Sequence, residues 1–125
     1  MEPIAILVYA DLQAAHEHLT RVFGFQGRLD TDENGQAVHG EVDLGEGVIW
    51  LHGESEEYRL SSPDNAGIST GMMTVMVEDV DAHYARARDE GADIVYEPVD
   101  QPYGYREYSA RDPEGHLWSF MKPLD

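Results

Sequence analysis

Histidine and carboxylate side chains are the groups of this sequence that could carry out acid–base or metal chemistry. The chain has 6 His and 25 Asp or Glu but no Cys, which excludes disulfides, thiolate metal sites and cysteine nucleophiles. In the segment Gln36–Leu44, His39, Glu41 and Asp43 alternate along one face of a predicted strand. Such a set could imitate a metal site, but we favour the solvated face of an edge strand.

The other histidines offer few catalytic candidates. His16 and His18 lie two residues apart on a predicted helix, so their rings diverge and we expect both at the surface. His52 shares a predicted strand face with Trp50 and is the one candidate for general acid–base chemistry, but no neighbour orients it. No Ser-His-Asp order, phosphate-binding Gly-rich loop or Rossmann fingerprint is present. We therefore predict no catalytic residue.

The charge of the chain limits its partners. A formal net charge of −17 repels phosphate backbones and excludes nucleic acid as a partner. The same field would concentrate cationic small molecules near the surface, or it simply keeps the protein soluble. No segment approaches the ~18 apolar residues of a membrane span, and Glu2 stands where a signal peptide carries positive charge. We expect a cytoplasmic protein with no membrane partner.

Two parts of the chain repeat one plan. "ILVYADLQAAHEHLTRVFGF" and "MTVMVEDVDAHYARARDEGA" each run from an apolar strand through an Asp into an amphipathic helix that ends near a Gly. Asp11 and Asp79 are placed to cap these helices, because their carboxylates can accept the free N–H groups of a first turn. The strands predicted after the helices are Gln26–Thr31, Gln36–Leu44 and Val48–Gly53, then Asp93–Glu97, Arg106–Arg111 and His116–Lys122. The sequence predicts one α+β domain over residues 1–125, with modules at about 1–62 and 68–125.

The doubled module, with "VYADL", "VEDVDAHYARARDEGADI" and the closing "PYGYREYSARDPEGHLWSF", resembles the vicinal oxygen chelate superfamily. This group includes glyoxalase I, extradiol dioxygenases, fosfomycin-resistance enzymes and bleomycin-resistance proteins. The resemblance covers nearly the whole chain and is closest to the bleomycin-resistance branch, whose members lack the metal. It implies two βαβββ modules whose curved mixed sheets form a central cleft, paired in a homodimer.

The resemblance also implies where a metal would be bound. In the metal-dependent members up to four strand residues ligate the ion, and the matching positions here are Ile4, Trp50, Met72 and Ser119. None of these side chains is a usual ligand for zinc, nickel, manganese or iron. We therefore predict no metal and no cofactor.

The same positions predict a mainly apolar pocket, because strand residues two apart share a face. Methionine adapts to irregular ligands, and an exposed tryptophan offers a face for stacking on a planar or cationic group. An apolar stripe of this kind could instead be filled core, as we expect for Trp118 and Phe120 on the other face of the last strand. The predicted ligand-binding residues are Ile4, Trp50, His52, Met72, Thr74, Met76, Tyr103, Tyr105, Arg106 and Ser119.

Tyr103, Tyr105 and Arg106 lie in a loop that enters a strand. The two tyrosines could fold over the mouth of the cleft while Arg106 offers a cationic fork to a carbonyl or carboxylate. Alternatively, the segment is a proline–glycine turn whose arginine pairs with a surface acid.

We predict from these observations a metal-free small-molecule binding protein. Its ligand would be an aromatic or cationic antibiotic or natural product, and sequestration of that ligand would give drug resistance. The alternative is an enzyme of the same superfamily, a lyase, an isomerase or a natural-product tailoring enzyme, that works without the usual metal site.

Overall fold

The computed structural model describes residues 1–125 and contains two four-stranded sheets and three helices. The elements of the first half are β1 Ala5–Tyr9, α1 Leu12–Arg21, β2 Gln26–Thr31, β3 Ala37–Asp43 and β4 Val48–Gly53. The short helix α2, Pro63–Ala66, lies between the halves. The elements of the second half are β5 Met73–Met76, α3 Val80–Asp89, β6 Asp93–Asp100, β7 Tyr105–Arg111 and β8 Leu117–Pro123.

Both halves have the same strand order. The first sheet runs β1-β4-β3-β2 and the second runs β5-β8-β7-β6. In each sheet the first strand pairs in parallel with the last, and the other neighbours are antiparallel. The predicted α+β fold of two βαβββ modules is therefore confirmed. β3 lies between β2 and β4, so the expectation that it forms an edge was wrong.

The two long helices begin where their capping residues predict. The Asp11 carboxylate accepts a hydrogen bond from Ala14 N at 3.0 Å, and Asp79 accepts one from Ala82 N at the same distance. These bonds satisfy backbone N–H groups that have no partner within the helix. None of the three helices has the length and apolar content needed to cross a membrane.

The core lies between the helices and one face of each sheet, and it is continuous across the two modules. Phe23, just after α1, packs on Trp118 and Phe120 of β8 with ring centroids 5.7 Å and 4.9 Å away. Trp118 and Phe120 are fully buried, which confirms that they are core residues. Aromatic packing of this kind adds about 0.5–1.5 kcal/mol per pair beyond the burial of area.

The Asp112 carboxylate joins the two modules at one end. Its Oδ2 accepts hydrogen bonds from the Tyr9 hydroxyl at 2.5 Å and from Trp118 Nε1 at 3.1 Å. Its Oδ1 accepts the backbone N–H groups of Glu114 and His116, which shapes the turn before β8. The Glu114 carboxylate in turn accepts the last two N–H groups before α1. The turn between β7 and β8 thus holds the junction of β1 and α1.

The expectation that His18 lies at the surface was wrong. Its ring is buried and makes an edge contact with Phe23 at 5.0 Å. Its Nδ1 has no hydrogen-bond partner, and burial lowers the pKa of His18 below its ordinary value of 6.5. Burial also lowers the pKa of His83, which bridges the Tyr108 hydroxyl and the Phe23 carbonyl. Both rings are neutral parts of the core.

We predict that protonation of His18 lowers the free energy of unfolding at acidic pH. The unfolded chain binds a proton with the ordinary pKa of 6.5, whereas the folded chain resists it, so stability is lost as the pH falls below that value. In His18→Leu the free energy of unfolding should depend less on pH. The measurement is urea unfolding at about pH 7.5 and about pH 5.5. Gln13→Leu, at an exposed position of the same helix, should leave the dependence unchanged, and an equal slope in His18→Leu would contradict the assignment.

Candidate functional site

The side of the first sheet that faces away from α1 carries a cluster of aromatic and polar side chains, which we call face 1. The strand register places Ile6 beside Trp50, Trp50 beside Glu41, and Val8 beside His52. The His39 ring lies 5.3 Å from the Trp50 ring and 5.1 Å from the His52 ring. Face 1 is defined by Ile6, Arg28, His39, Glu41, Trp50 and His52.

His39 is one of the members of face 1 that the sequence did not assign to the site. It was expected on a separate edge strand, but the central position of β3 brings it against Trp50 and His52. Its Nε2 is 2.9 Å from Glu41 Oε2, and the Arg28 guanidinium donates to the same oxygen at 3.0 Å. His39 therefore has the orienting carboxylate that His52 lacks.

The corresponding side of the second sheet, facing away from α3, forms face 2. One row across it contains Thr74, Ser119 and Ser109, in which the two serine hydroxyls share a hydrogen bond of 2.5 Å. The next row contains Met76, Met121 and Glu107. These six residues define face 2. The serines and Glu107 are buried, while the Met76 side chain is 57% exposed at the rim.

Glu107 is the second group that sequence reasoning missed. It is only 4% exposed and accepts a hydrogen bond from the Tyr103 hydroxyl. Burial opposes its ionisation, but hydrogen bonds from neighbouring side chains outweigh this and hold the pKa of Glu107 below its usual range. Those neighbours are Tyr103, Tyr96, Ser119 and Gln101. Face 2 therefore contains a buried negative charge at neutral pH.

The structure does not bring together the three predicted loop residues Tyr103, Tyr105 and Arg106. The rings of Tyr103 and Tyr105 lie 6.3 Å apart, and Tyr103 reaches Glu107 on face 2. Arg106 belongs to the opposite, helix side of β7, where it donates to both oxygens of Asp81 and to Asp100. These ion pairs match the alternative interpretation of this arginine, so we leave Arg106 out of the proposed site.

The four residues that the family resemblance matches to metal ligands do not fit a metal. Trp50 belongs to face 1, Ser119 is buried on face 2, and Ile4 and Met72 have exposed apolar side chains. A divalent cation requires several nitrogen, oxygen or thiolate donors. The serine hydroxyl is the only oxygen among these four side chains, and no three His, Asp or Glu side chains converge elsewhere.

One cavity of about 390 Å³ joins the two modules beside the linker. Ile6 and Val8 of β1 line one side, Met72 lies just before β5, and Leu60 and Ile68 come from the linker. Ile6 and Met72 extend from this cavity toward the two faces, whereas Trp50 and Met76 do not line it. A ligand that contacts Trp50 must therefore bind over face 1 itself.

Comparison with known proteins identifies the family of the chain. The family described as the Glyoxalase/Bleomycin resistance protein/Dioxygenase superfamily matches residues 3–120. TioX from Micromonospora sp. ML1 is 35% identical, and the alignment covers 99% of each chain with a TM-score of 0.78. UcmS2 is 24% identical over 97% of this chain and 96% of its own, with a TM-score of 0.73, and shows the shared fold.

Among curated sequences, the chain is similar to mycobacterial proteins of undescribed function. An uncharacterized protein of Mycobacterium tuberculosis is 28% identical over 94 residues, which cover 73% of this chain and 55% of that protein. The related protein of Mycobacterium bovis has the same identity and is covered to 62%. The chain thus spans little more than half the length of these relatives.

We predict that the protein, purified without chelator, contains far less than one zinc, nickel, manganese or iron ion per chain. The reason is the donor chemistry at Ile4, Trp50, Met72 and Ser119. Elemental analysis by mass spectrometry after dialysis provides the measurement. One tightly held ion per chain would contradict it, and loss of that ion in His39→Gln would place it on face 1.

Proposed function

We propose, from the premise that the chain belongs to the Glyoxalase/Bleomycin resistance protein/Dioxygenase superfamily, that it is a metal-free binding protein for a planar or cationic small molecule. The observation that carries this proposal is Trp50. It occupies one of the family's metal-ligand positions, and its side chain is half-exposed between His39 and His52.

Face 1 has the properties of a stacking surface. The rings of Trp50 and His52 are nearly parallel, with 26° between their planes and 6.2 Å between their centroids. An indole face attracts flat and cationic groups by about 0.5–2 kcal/mol depending on desolvation. The net charge of −17 favours the approach of a cation. These features support an aromatic compound with a positive charge as the ligand.

The site is completed by a second copy of the chain under this proposal. Four large apolar side chains at or beside the two faces are more than a third exposed, namely Ile4, Ile6, Met72 and Met76. Under the proposal these side chains together form the apolar surface that a partner covers, since large apolar patches mark interaction sites. Pairing two chains across these faces would bury the side chains and enclose a ligand that stacks on Trp50. We therefore propose small-molecule binding and homodimer formation together.

The biological role that follows is sequestration. A protein that encloses a drug lowers its free concentration without changing it chemically. Resistance to an antibiotic or natural product is therefore the proposed consequence of binding.

A second candidate function rests on His39. The 2.9 Å contact with Glu41 orients its imidazole, and an oriented imidazole beside a ligand surface can act as a general base. The protein would then be a superfamily enzyme that works without the usual metal. Conversion of a bound compound, lost in His39→Gln while binding is retained, would favour this candidate.

We predict that the protein is a dimer with twice the chain mass of 14.0 kDa in light scattering coupled to size exclusion. A double variant, Met72→Glu with Met76→Glu, should be monomeric because it places charges in the apolar interface. Glu33→Gln, at an exposed turn, should remain dimeric. A monomeric wild type would contradict the proposal.

We predict that Trp50→Ala weakens binding of planar cationic compounds about tenfold, since it removes a stacking contact of about 1–2 kcal/mol. Isothermal titration calorimetry is suitable because it does not depend on tryptophan emission. Val38→Ala removes an exposed apolar side chain from β3 outside face 1 and serves as the control. Unchanged affinity in Trp50→Ala, or no binding of any planar compound at micromolar concentration, would contradict the proposal.

A further inference from the structure

Glu107 is a buried carboxylate for which the chain provides no positive partner. It is 4% exposed, and it takes part in none of the ion pairs of the structure. The preceding residue, Arg106, is on the other side of β7 and is already neutralised by Asp81 and Asp100. Buried charges in proteins are normally paired, because an unpaired charge loses its hydration without compensation. Glu107 departs from this rule in a chain that is already strongly acidic.

Hydrogen bonds keep this carboxylate charged in spite of its burial. Donors such as Tyr103 and Ser119 favour the ionised form and hold the pKa of Glu107 below its usual range, although burial acts in the opposite direction. A carboxylate that is maintained as an anion, accepts neutral donors only and has no counter-ion is suited to receive a cation.

Tyr103 is the donor that can be exchanged. Its side chain is 59% exposed, whereas the Ser119 side chain is buried. It lies in the turn before β7, next to Gly104, whose positive φ of 94° reverses the chain. Its hydrogen bond to Glu107 raises the pKa of Tyr103 to about 12, so the hydroxyl is a neutral donor at physiological pH. Rotation of this one side chain toward solvent would free a carboxylate oxygen.

We propose that Glu107 receives a cationic N–H group of the bound molecule, and that the Tyr103 hydroxyl occupies this place in the free protein. A charged donor replaces a neutral one, and charge-assisted hydrogen bonds are roughly twice as strong as neutral ones. The displaced Tyr103 ring and the neighbouring Tyr105 ring remain beside the carboxylate, where aromatic faces attract the same cation. No proton or covalent bond is transferred in this exchange.

This inference rests on the proposed function and makes its ligand class more specific. Trp50 on face 1 would take the flat ring, and Glu107 on face 2 would take a protonated amine, amidine or guanidine. Because the two faces belong to different modules, the ligand requires both a flat ring and cationic N–H donors at the edge of that ring. A neutral planar compound would make only the stacking contact with Trp50.

The test compares two flat probes of similar size by isothermal titration calorimetry. 9-Aminoacridine carries a positive charge with N–H donors at neutral pH, and acridine is neutral. We expect Glu107→Gln to weaken binding of 9-aminoacridine about tenfold or more and to leave binding of acridine unchanged. We expect Tyr103→Phe to strengthen binding of 9-aminoacridine several-fold, because the carboxylate no longer has its internal donor.

Glu33→Gln provides the matched control, since it removes the same charge from an exposed turn and should change neither affinity. Thermal unfolding checks that Glu107→Gln is folded, and we expect a modest loss of stability, because the hydrogen bonds that lower the pKa of Glu107 favour its charged form in the folded chain. If neither probe binds the wild type, the proposed function itself fails. If both bind but Glu107→Gln resembles Glu33→Gln, or if Tyr103→Phe weakens binding of 9-aminoacridine, this inference fails and the proposed function stands.

Discussion

The buried carboxylate of Asp112 is the interaction on which the arrangement of the two modules depends. It accepts hydrogen bonds from Tyr9 at the end of β1 and from Trp118 at the start of β8, so one side chain fixes the ends of two strands from different modules. The continuous core then follows, because Trp118 is held where Phe23 can pack against it. The same constraint sets the register of β8 and therefore places Ser119 on face 2.

The fold could be predicted from the sequence because its signals are local. Periodicity separated strands from helices, and Asp11 and Asp79 marked the starts of the two helices. The repeat of one plan gave the two-module architecture. Alternation along β8 correctly divided the buried Trp118 and Phe120 from the opposite face. The order of strands in each sheet was not predicted, because these patterns do not show which strands become neighbours.

The site was predicted only in part because its members meet through pairing between distant strands. His39 joins Trp50 only because β3 lies beside β4, and no pattern within the strand reveals its neighbour. Glu107 lay next to Arg106 at the start of the predicted strand Arg106–Arg111 and was not considered for the site, and alternation along β7 puts the two on opposite sides. The sequence correctly predicted that the rings of His16 and His18 point in different directions. Their spacing alone does not show which of the two rings is buried.

Under the proposed function, recognition of a flat cation takes the place of metal chemistry. The residues that the resemblance matches to the family's metal ligands are apolar or weak donors. Trp50 is half-buried on one sheet, and Glu107, which has no ion-pair partner, lies beside Tyr103 on the other. The most direct measurement is a crystal structure of the protein grown with 9-aminoacridine. The account predicts the ring stacked on Trp50, its amino group within hydrogen-bond distance of Glu107, and the Tyr103 side chain rotated away. A divalent ion bound between His39 and His52, or the dye seated outside the two faces, would contradict it.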